Sequence, residues 1–487
     1  MSSRYVLNPF MNTSKLLNTM KYAAERDGKW IGDQKDSRQY SWTDRQHEEW
    51  VDRRFGQLDP LKRKTSLLET KSMKTSAVES WKQKKSLDNA ITLSLANNHL
   101  GVDILQQLYD NQKNAFFSPF SISMAFAMVF MGAKGKTHEE LYAGLGYKSV
   151  HLSDIQINEQ FQEILTELND KYKIRPYALR VANKLIIRAR FPIEDKYQGV
   201  LTKYYHSAVE SIDFRNNPVA IREALNTWVA NTTNNKIQEI LPKPLDPVDQ
   251  RGAVHHRRFL PKPLDPVSTY MVLLNAIYFK GLFANKFDPK ETKEEPFITG
   301  ETGAEHKKVP MMHRKGVFNY TEISAIDSKL LELPYAGDEI SLYLLLPNQP
   351  QGLSKSKHQL KDFAVIEKAI TRCYSMEVDV TVPKFKIDAQ YSLKDLFMTL
   401  GISSLFGPTA VLTGISERKN LYVSEVIHKA SVEVSEMGTE ASAATAIKIN
   451  TKSPKQQLTF RADHPFTFFI RQNRNGMLLF AGYVNKL

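Results

Sequence analysis

Cysteine is all but missing from this chain: Cys373 stands alone among 487 residues. One thiol cannot close an internal disulfide or join a thiolate cluster around a metal, so packing must supply the stability. The scarcity also tilts toward a reducing compartment. Long apolar runs are missing too. The densest stretch, "SMAFAMVFMG", falls well short of the ~18 residues that a membrane-spanning helix needs, so no membrane span is expected. The first residues, "MSSRYVLNPFMNTSKLLNTMKYAAERD", mix polar and charged side chains throughout, unlike a secretory signal. Also absent are a G-x-S-x-G elbow, a glycine-rich phosphate loop, an H-E-x-x-H helix and any paired-cysteine motif. Each absence removes an enzyme class, and no catalytic residue, cofactor or metal site is expected. No basic motif is interleaved with aromatics, which argues against nucleic acid as a partner.

What the chain does have is apolar side chain, 42% of residues, enough for a large core. Its net charge of +13 is uneven, because residues 1–87 hold 18 Lys and Arg against 11 Asp and Glu. That stretch shows no sustained apolar stripe. Its composition predicts a polar, basic N-terminal extension over 1–87, largely disordered, with a polyanion or membrane-surface site as its sharper use. A packed domain is expected over 88–487. There, helical patterns such as "SLKDLFMTLG", ending at Gly401, mix with strand patterns such as "TYMVLLNAIYFKG", "SLYLLLP", "EVDVTVPKF" and "MLLFAGYV". The mixture predicts an α+β fold.

Three sequons, at Asn12, Asn231 and Asn319, are candidate glycosylation sites and pull toward secretion. The octamer "LPKPLDPV" occurs at 241–248 and again at 260–267. Its prolines and the polar "DQRGAVHHRRF" between the copies predict an exposed loop insertion near 249–267, with His255 and His256 as solvated loop rather than metal ligands. "ADHPF" sets Asp463 beside His464, but neighbours in a strand face opposite ways, so no acid/base pair is expected there.

One stretch resists an ordinary reading. "SEMGTEASAATAIKINTKSP", Ser435 to Pro454, lies between the strand-like "SEVIHKASVEVSE" and "LTFRADHPFTFFI". A loop of that length in a compact domain is functional or disordered. At period two, Thr439, Ala441, Ala443 and Thr445 share one face, and Glu440, Ser442 and Ala444 share the other. Both faces are small enough to enter a crowded sheet, and Ala and Thr favour an ordered backbone where Gly would not.

In order along the chain stand "NAFFSPFSISMAFAMVFMGAKGKT", "LLNAIYFKG", "FDPKET", "VPMM", "ELPYAG", "VPKFKI", "VIHKASVEVSEMGTEASAATA", "ADHPFTFFI" and "FAGYV". With these motifs the chain resembles the serpins from about residue 88 to its C-terminus. The resemblance implies a serpin fold: three β-sheets, about nine helices, an exposed reactive-centre loop and a metastable body. It implies a monomeric suicide-substrate inhibitor that traps a trypsin-like serine protease as a covalent complex, in the extracellular space or, alternatively, the cytoplasm. A non-inhibitory carrier, store or chaperone, and an intracellular cysteine-protease inhibitor, stay open as alternatives.

Carried over residue by residue, the resemblance makes Glu436, Met437, Gly438, Thr439, Glu440, Ala441, Ser442, Ala443 and Ala444 the hinge of that loop. Counting the family's usual ~17 residues from Glu436 puts the reactive bond at Lys452–Ser453, with Lys448 and Lys455 as other registers. Lys suits a trypsin-like specificity pocket, and Pro454 biases Ser453 toward extended backbone. Ser118, Ser121, Asn275 and His428 resemble the polar shutter beneath the point where the large sheet opens. Two departures stand out: Phe283 where the family usually has Trp, and Val411 where Asp is common. The segment "DIQINEQFQEILTELND", near where some members place a basic helix, is acidic.

Overall fold

The computed structural model describes residues 60–110, 112–168, 175–242, 264–265, 267–299, 305–355, 360, 363–436 and 458–487, with side chains from residue 84 onward apart from that of Glu305. Among these are eight α-helices: α1 (Pro60–Gln107), α2 (Pro119–Phe130), α3 (Gly135–Gly144), α4 (Asp154–Leu168), α5 (Asp195–Tyr205), α6 (Pro218–Thr232), α7 (Ala364–Ile370) and α8 (Lys394–Thr399). Fourteen strands accompany them: β1 (Ala115–Phe117), β2 (Tyr177–Arg188), β3 (Val209–Ile212), β4 (Met271–Gly281), β5 (Lys293–Thr299), β6 (Glu305–Ile323), β7 (Ser328–Pro334), β8 (Ile340–Pro347), β9 (Tyr374–Pro383), β10 (Phe385–Ser392), β11 (Val423–Val434), β12 (Leu458–Arg461), β13 (Phe466–Gln472) and β14 (Leu478–Val484).

The chain divides into two compact units, Met1–Trp81 and Lys82–Leu487. Helix α1 passes unbroken through residue 87, where composition predicted the boundary; Lys, Glu, Ala and Leu hold a helix by propensity without needing an apolar stripe.

A helix that is apolar on every side must lie inside, and all of α2, from Pro119 to Phe130, is buried. Ser118 caps it: the Ser118 side chain accepts from the Ser121 N–H, and Pro119 fills the first turn, where its missing N–H costs nothing. At the other extreme, α8 stops at Thr399, and Gly401 takes the positive φ of +91° that the chain needs in order to turn away.

The strands form two sheets. One, of nine strands, runs β1-β14-β13-β8-β7-β6-β9-β12, with β5 also paired to β6; the other, of five, runs β10-β11-β4-β2-β3. Three sheets were implied and two are counted because β6 is 19 residues long. Its first part pairs with β5, its middle with β9 and its last part with β7, so one continuous strand fuses two of the three expected sheets. The main core lies between the sheets and around α2. A second, smaller core seals the other face of the five-stranded sheet: Leu225 and Val229 of α6, with Ile237, Ile240 and Leu241 beyond it, pack on Leu274 and Tyr278 of β4 and Ile427 of β11.

Candidate functional site: a parallel seam with a polar lining

β4 is antiparallel to β2, and β11 to β10. Between them, however, β4 and β11 are parallel, paired at Met271↔Val423 and, past a bulge at Ser424, in continuous register from Val272↔Glu425 to Lys280↔Glu433. This seam is the place where a further strand has a use. A segment that leaves the C-terminal end of β11 and folds back runs antiparallel to β11, and therefore to β4 as well.

The seam is lined by polar groups buried beneath α2. His428 of β11 stands opposite Asn275 of β4, and Ser118 and Ser121 reach them from the N-terminus of α2. The Ser118 N–H donates to His428 Nε2 (3.1 Å), which leaves His428 Nδ1–H to donate to Asn275 Oδ1. The Ser121 hydroxyl donates to the same Oδ1 (2.9 Å), and Asn275 Nδ2 returns a bond to the Ser121 carbonyl (3.1 Å). The Ser118 hydroxyl donates to the Leu479 carbonyl on β14 (2.6 Å). All four residues are essentially inaccessible. Burial with no opposite charge nearby pushes the His428 imidazole down to about 3, so it is neutral and can accept from Ser118. The four residues singled out by sequence thus form one hydrogen-bonded cluster across the seam.

Sequence reasoning missed a fifth member. Asn183 of β2 stands directly opposite Asn275, and its Oδ1 accepts from Asn275 Nδ2. An isolated Asn in the apolar "RVANKLII" was the available signal.

At the upper end of the seam Lys280 and Glu433 form an ion pair of 2.7 Å. Just beyond β11, Glu436 is buried, 6% exposed, and accepts from Thr292 (2.9 Å) and Lys384 (2.9 Å). Burial alone would raise its pKa, but its own N–H, Lys384 and Thr292 outweigh burial and hold the carboxyl below its ordinary value. The remaining hinge positions, Gly438 to Ala444, and the bond Lys452–Ser453 lie outside the described residues, as do Asn12, His255 and His256.

Elsewhere, Asn231 is exposed at the end of α6. Asn319 lies within β6 and is engaged at both ends of its carboxamide, donating to Glu332 (2.9 Å) and accepting from Ser375 (2.8 Å). Asp463 and His464 do meet, at 2.9 Å, contrary to the expectation from alternation. They sit in an irregular link between β12 and β13, where alternation does not hold. His464 also bonds the Pro347 carbonyl (2.8 Å), and Asp463 accepts from Arg461 (2.8 Å), so the pair pins that link to β8 and β12. Phe283 is buried and stacks on Tyr335, centroids 4.9 Å apart, keeping the apolar bulk expected of a Trp there. The Val411 N–H donates to Thr137 Oγ1 (3.0 Å). Burial pushes the Cys373 thiol up to about 12, so it is a poor nucleophile.

A family model described as Serpin (serine protease inhibitor) matches residues 95–254 and 251–487. The chain belongs to the serpin family. The two matched stretches meet between the repeated octamers of this serpin. It is similar to human Serpin B4, 35% identical over 406 residues that cover 80% of this chain and 98% of the relative. It is also similar to Intracellular coagulation inhibitor 1 of Tachypleus tridentatus, 35% identical over 408 residues that cover 83% of this chain and 91% of the relative. The crystal structure of uncleaved ovalbumin superposes with a TM-score of 0.67 at 27% identity, over 82% of this chain and 100% of ovalbumin. Membership of a family of serine protease inhibitors makes a protease the partner class of this serpin. Among the described residues no helix is long and apolar enough to cross a membrane.

Proposed function

We propose that this serpin is a suicide-substrate inhibitor of a trypsin-like serine endopeptidase. The observation that supports the reading is the β4/β11 seam: two parallel strands with no strand between them, leading at the end of β11 directly into the segment of small residues. In this reading the protease serine attacks the Lys452 carbonyl, the Lys452–Ser453 bond breaks, and Ser453 leaves as a new N-terminus. Glu436, fixed by Lys384 and Thr292, is the point from which the severed hinge, Gly438 to Ala444, folds back into the seam. One parallel pairing is then replaced by two antiparallel ladders, which are somewhat more stable per residue. The ester to the protease is carried the length of the sheet before water can cleave it.

Ser118, Ser121, Asn275 and His428, with Asn183, act as the shutter. Their hydrogen bonds hold the strands in register and can be exchanged one at a time as the strands part, which interdigitated apolar packing would not allow. The relative named as an intracellular inhibitor supports the cytoplasmic alternative, whereas extracellular placement rests on the family resemblance and the sequons, and glycosylation on the sequons alone. Residues 1–87 are proposed as a basic extension to a monomeric inhibitor over 88–487.

Incubation with trypsin, followed by a denaturing gel and N-terminal sequencing of the released fragment, tests the reading. A stable complex with a fragment beginning at Ser453 is expected. Clean cleavage without a complex would establish the non-inhibitory alternative, and trapping of a cysteine protease alone would establish the third. A fragment starting after Lys448 or Lys455 would move the bond.

A further inference from the structure

The lower end of the same seam carries a cluster that protease trapping leaves unused. Tyr270 immediately precedes β4 and Tyr422 immediately precedes β11. Their ring centroids are 4.6 Å apart, so the two tyrosines close the mouth from which the strands set out. The Tyr270 N–H donates to Ser424 Oγ on β11 (2.9 Å). Around this mouth gather three arginines from two distant stretches of sequence. The guanidinium carbons of Arg188 and Arg190 lie 5.0 Å and 4.7 Å from the centre of the Tyr270 ring, and that of Arg190 is also 5.0 Å from Phe191. Arg188 donates to the Val267 carbonyl (2.8 Å), and Arg418 donates to the Arg190 carbonyl (2.6 Å).

Charge is left over here. Among the described residues neither Arg190 nor Arg418 meets a carboxylate within ion-pair distance, and both are exposed, as is Lys419 beside them. Acidic neighbours include Asp265, which senses Arg188, Glu417, next to Arg418 in the chain, Asp213, which follows the Ile212 carbonyl that accepts from the Ala189 N–H, and Glu194, whose N–H donates to the Ile415 carbonyl. A guanidinium laid on an aromatic ring has already surrendered much of its side-chain freedom, and its planar fork matches the paired oxygens of sulfate and phosphate.

We propose that Arg190, Arg418 and Lys419, backed by Arg188, form a binding site for clustered sulfate or phosphate groups, and that its occupation holds the lower end of the β4/β11 seam shut. Arg190 follows β2 and leans on the residue that starts β4, while Arg418 stands on the segment that leads into β11. An anion that grips both ties the two sides of the seam together. It binds the closed sheet better than an opened one, and that difference in affinity is what shifts the equilibrium. The coupling rests on the insertion reading; the anion site does not.

Titration calorimetry on the full chain tests the site, with sucrose octasulfate and inorganic tripolyphosphate as the two probes. Saturable binding is expected, stronger at low than at high ionic strength, and at least about tenfold weaker in Arg190→Ala/Arg418→Ala, a change of about 1.4 kcal/mol. The tighter probe shows whether a sulfated glycan or a polyphosphate is the source. Absence of saturable binding by either probe overturns the site. So does unchanged affinity in the double variant, which would put the anion elsewhere, such as on the basic residues 1–87. A thermal melt matching that of the parent chain confirms that the variant folds. For the coupling, a synthetic peptide copying residues 437–450 is added and its incorporation followed. Saturating probe is expected to slow incorporation about fivefold or more in the parent chain and not in the variant. Equal or faster incorporation overturns the coupling. A peptide that never enters the parent chain overturns both the coupling and the insertion reading, and the titration still decides the site.

Discussion

Two regions of this molecule are equally buried and built on opposite rules. Where β14 meets β1, the pairing is antiparallel and the contact is aromatic: Phe480 stacks on Phe116 (5.2 Å) and tilts against Phe279 of β4 (5.7 Å). Where β4 meets β11, the pairing is parallel and the apolar side chains of the two strands are interrupted by a buried polar group of two serines, two asparagines and a histidine. Dispersion and area burial are spread over many apolar contacts, so a packed aromatic contact has no single bond to exchange for another as it parts. Hydrogen bonds can be broken singly and remade with a new neighbour. On the insertion reading proposed above, the contrast separates a part of the fold that stays closed from a part that opens.

The largest break in this contrast is expected on the closed side. Phe480→Ala leaves a cavity among Phe116, Phe279 and their neighbours and should cost about 3–5 kcal/mol, read as a fall in the urea midpoint with an unchanged slope. Peptide incorporation into the seam should change far less than stability. The reverse is expected for Thr439→Arg. The folded protein should melt as before, because the change lies in the loop, but trapping should be lost and the protease should cleave the chain as a substrate. A guanidinium would have to enter the sheet interior without a partner. Unaltered trapping by that variant would count heavily against insertion.

The seam itself answers on a smaller scale, and with pH. His428→Leu strands the Ser118 N–H and removes a donor from Asn275 Oδ1, at an expected cost of about 1–3 kcal/mol. The folded imidazole titrates near 3 and an unfolded one near 6.5. The unfolded chain therefore binds the extra proton between those values. Stability contributed by neutral His428 is complete above about pH 6.5 and falls as the pH drops toward 3, by up to about 1.4 kcal/mol per pH unit. Urea midpoints across this window should fall less steeply in His428→Gln than in the parent chain, and parallel curves would remove His428 as the cause.

How much of this could be read beforehand depended on whether the signal was local. α2 announced itself through the Ser118–Pro119 start and an unbroken apolar run, and β4 and β9 through their apolar pattern. Ser118, Ser121, Asn275 and His428 came from the resemblance, since nothing in one sequence pairs residue 118 with residue 428. Asn183 escaped because β2 does not alternate, its burial being irregular until the last four residues, and because its value lies in standing opposite Asn275. The fusion of sheets along β6 escaped because a strand's length does not reveal where its partners change. Asp463 and His464 were set apart by assuming a strand where the chain bends. The arginine and tyrosine cluster was invisible for the same reason as the shutter: Arg188, Tyr270 and Arg418 are brought together only by the fold.

The smallest expected effect lies at the top of the seam. Lys280 and Glu433 stand opposite each other in the parallel register, and their side chains are 28% and 33% exposed. Pairs this accessible contribute about 0.2–1 kcal/mol, because water screens the attraction and two flexible side chains must be held still. A double-mutant cycle with Lys280→Met and Glu433→Gln should therefore return a coupling within that range at low salt, shrinking as ionic strength rises. Both residues must separate before a strand can enter between β4 and β11, so each single variant should speed peptide incorporation slightly, by less than about fivefold. A coupling above about 2 kcal/mol would make this end as firm a lock as the polar cluster below it. The seam would then be fastened at its top by charge, against the proposal that the hydrogen bonds among Ser118, Ser121, Asn275 and His428 set how readily it opens.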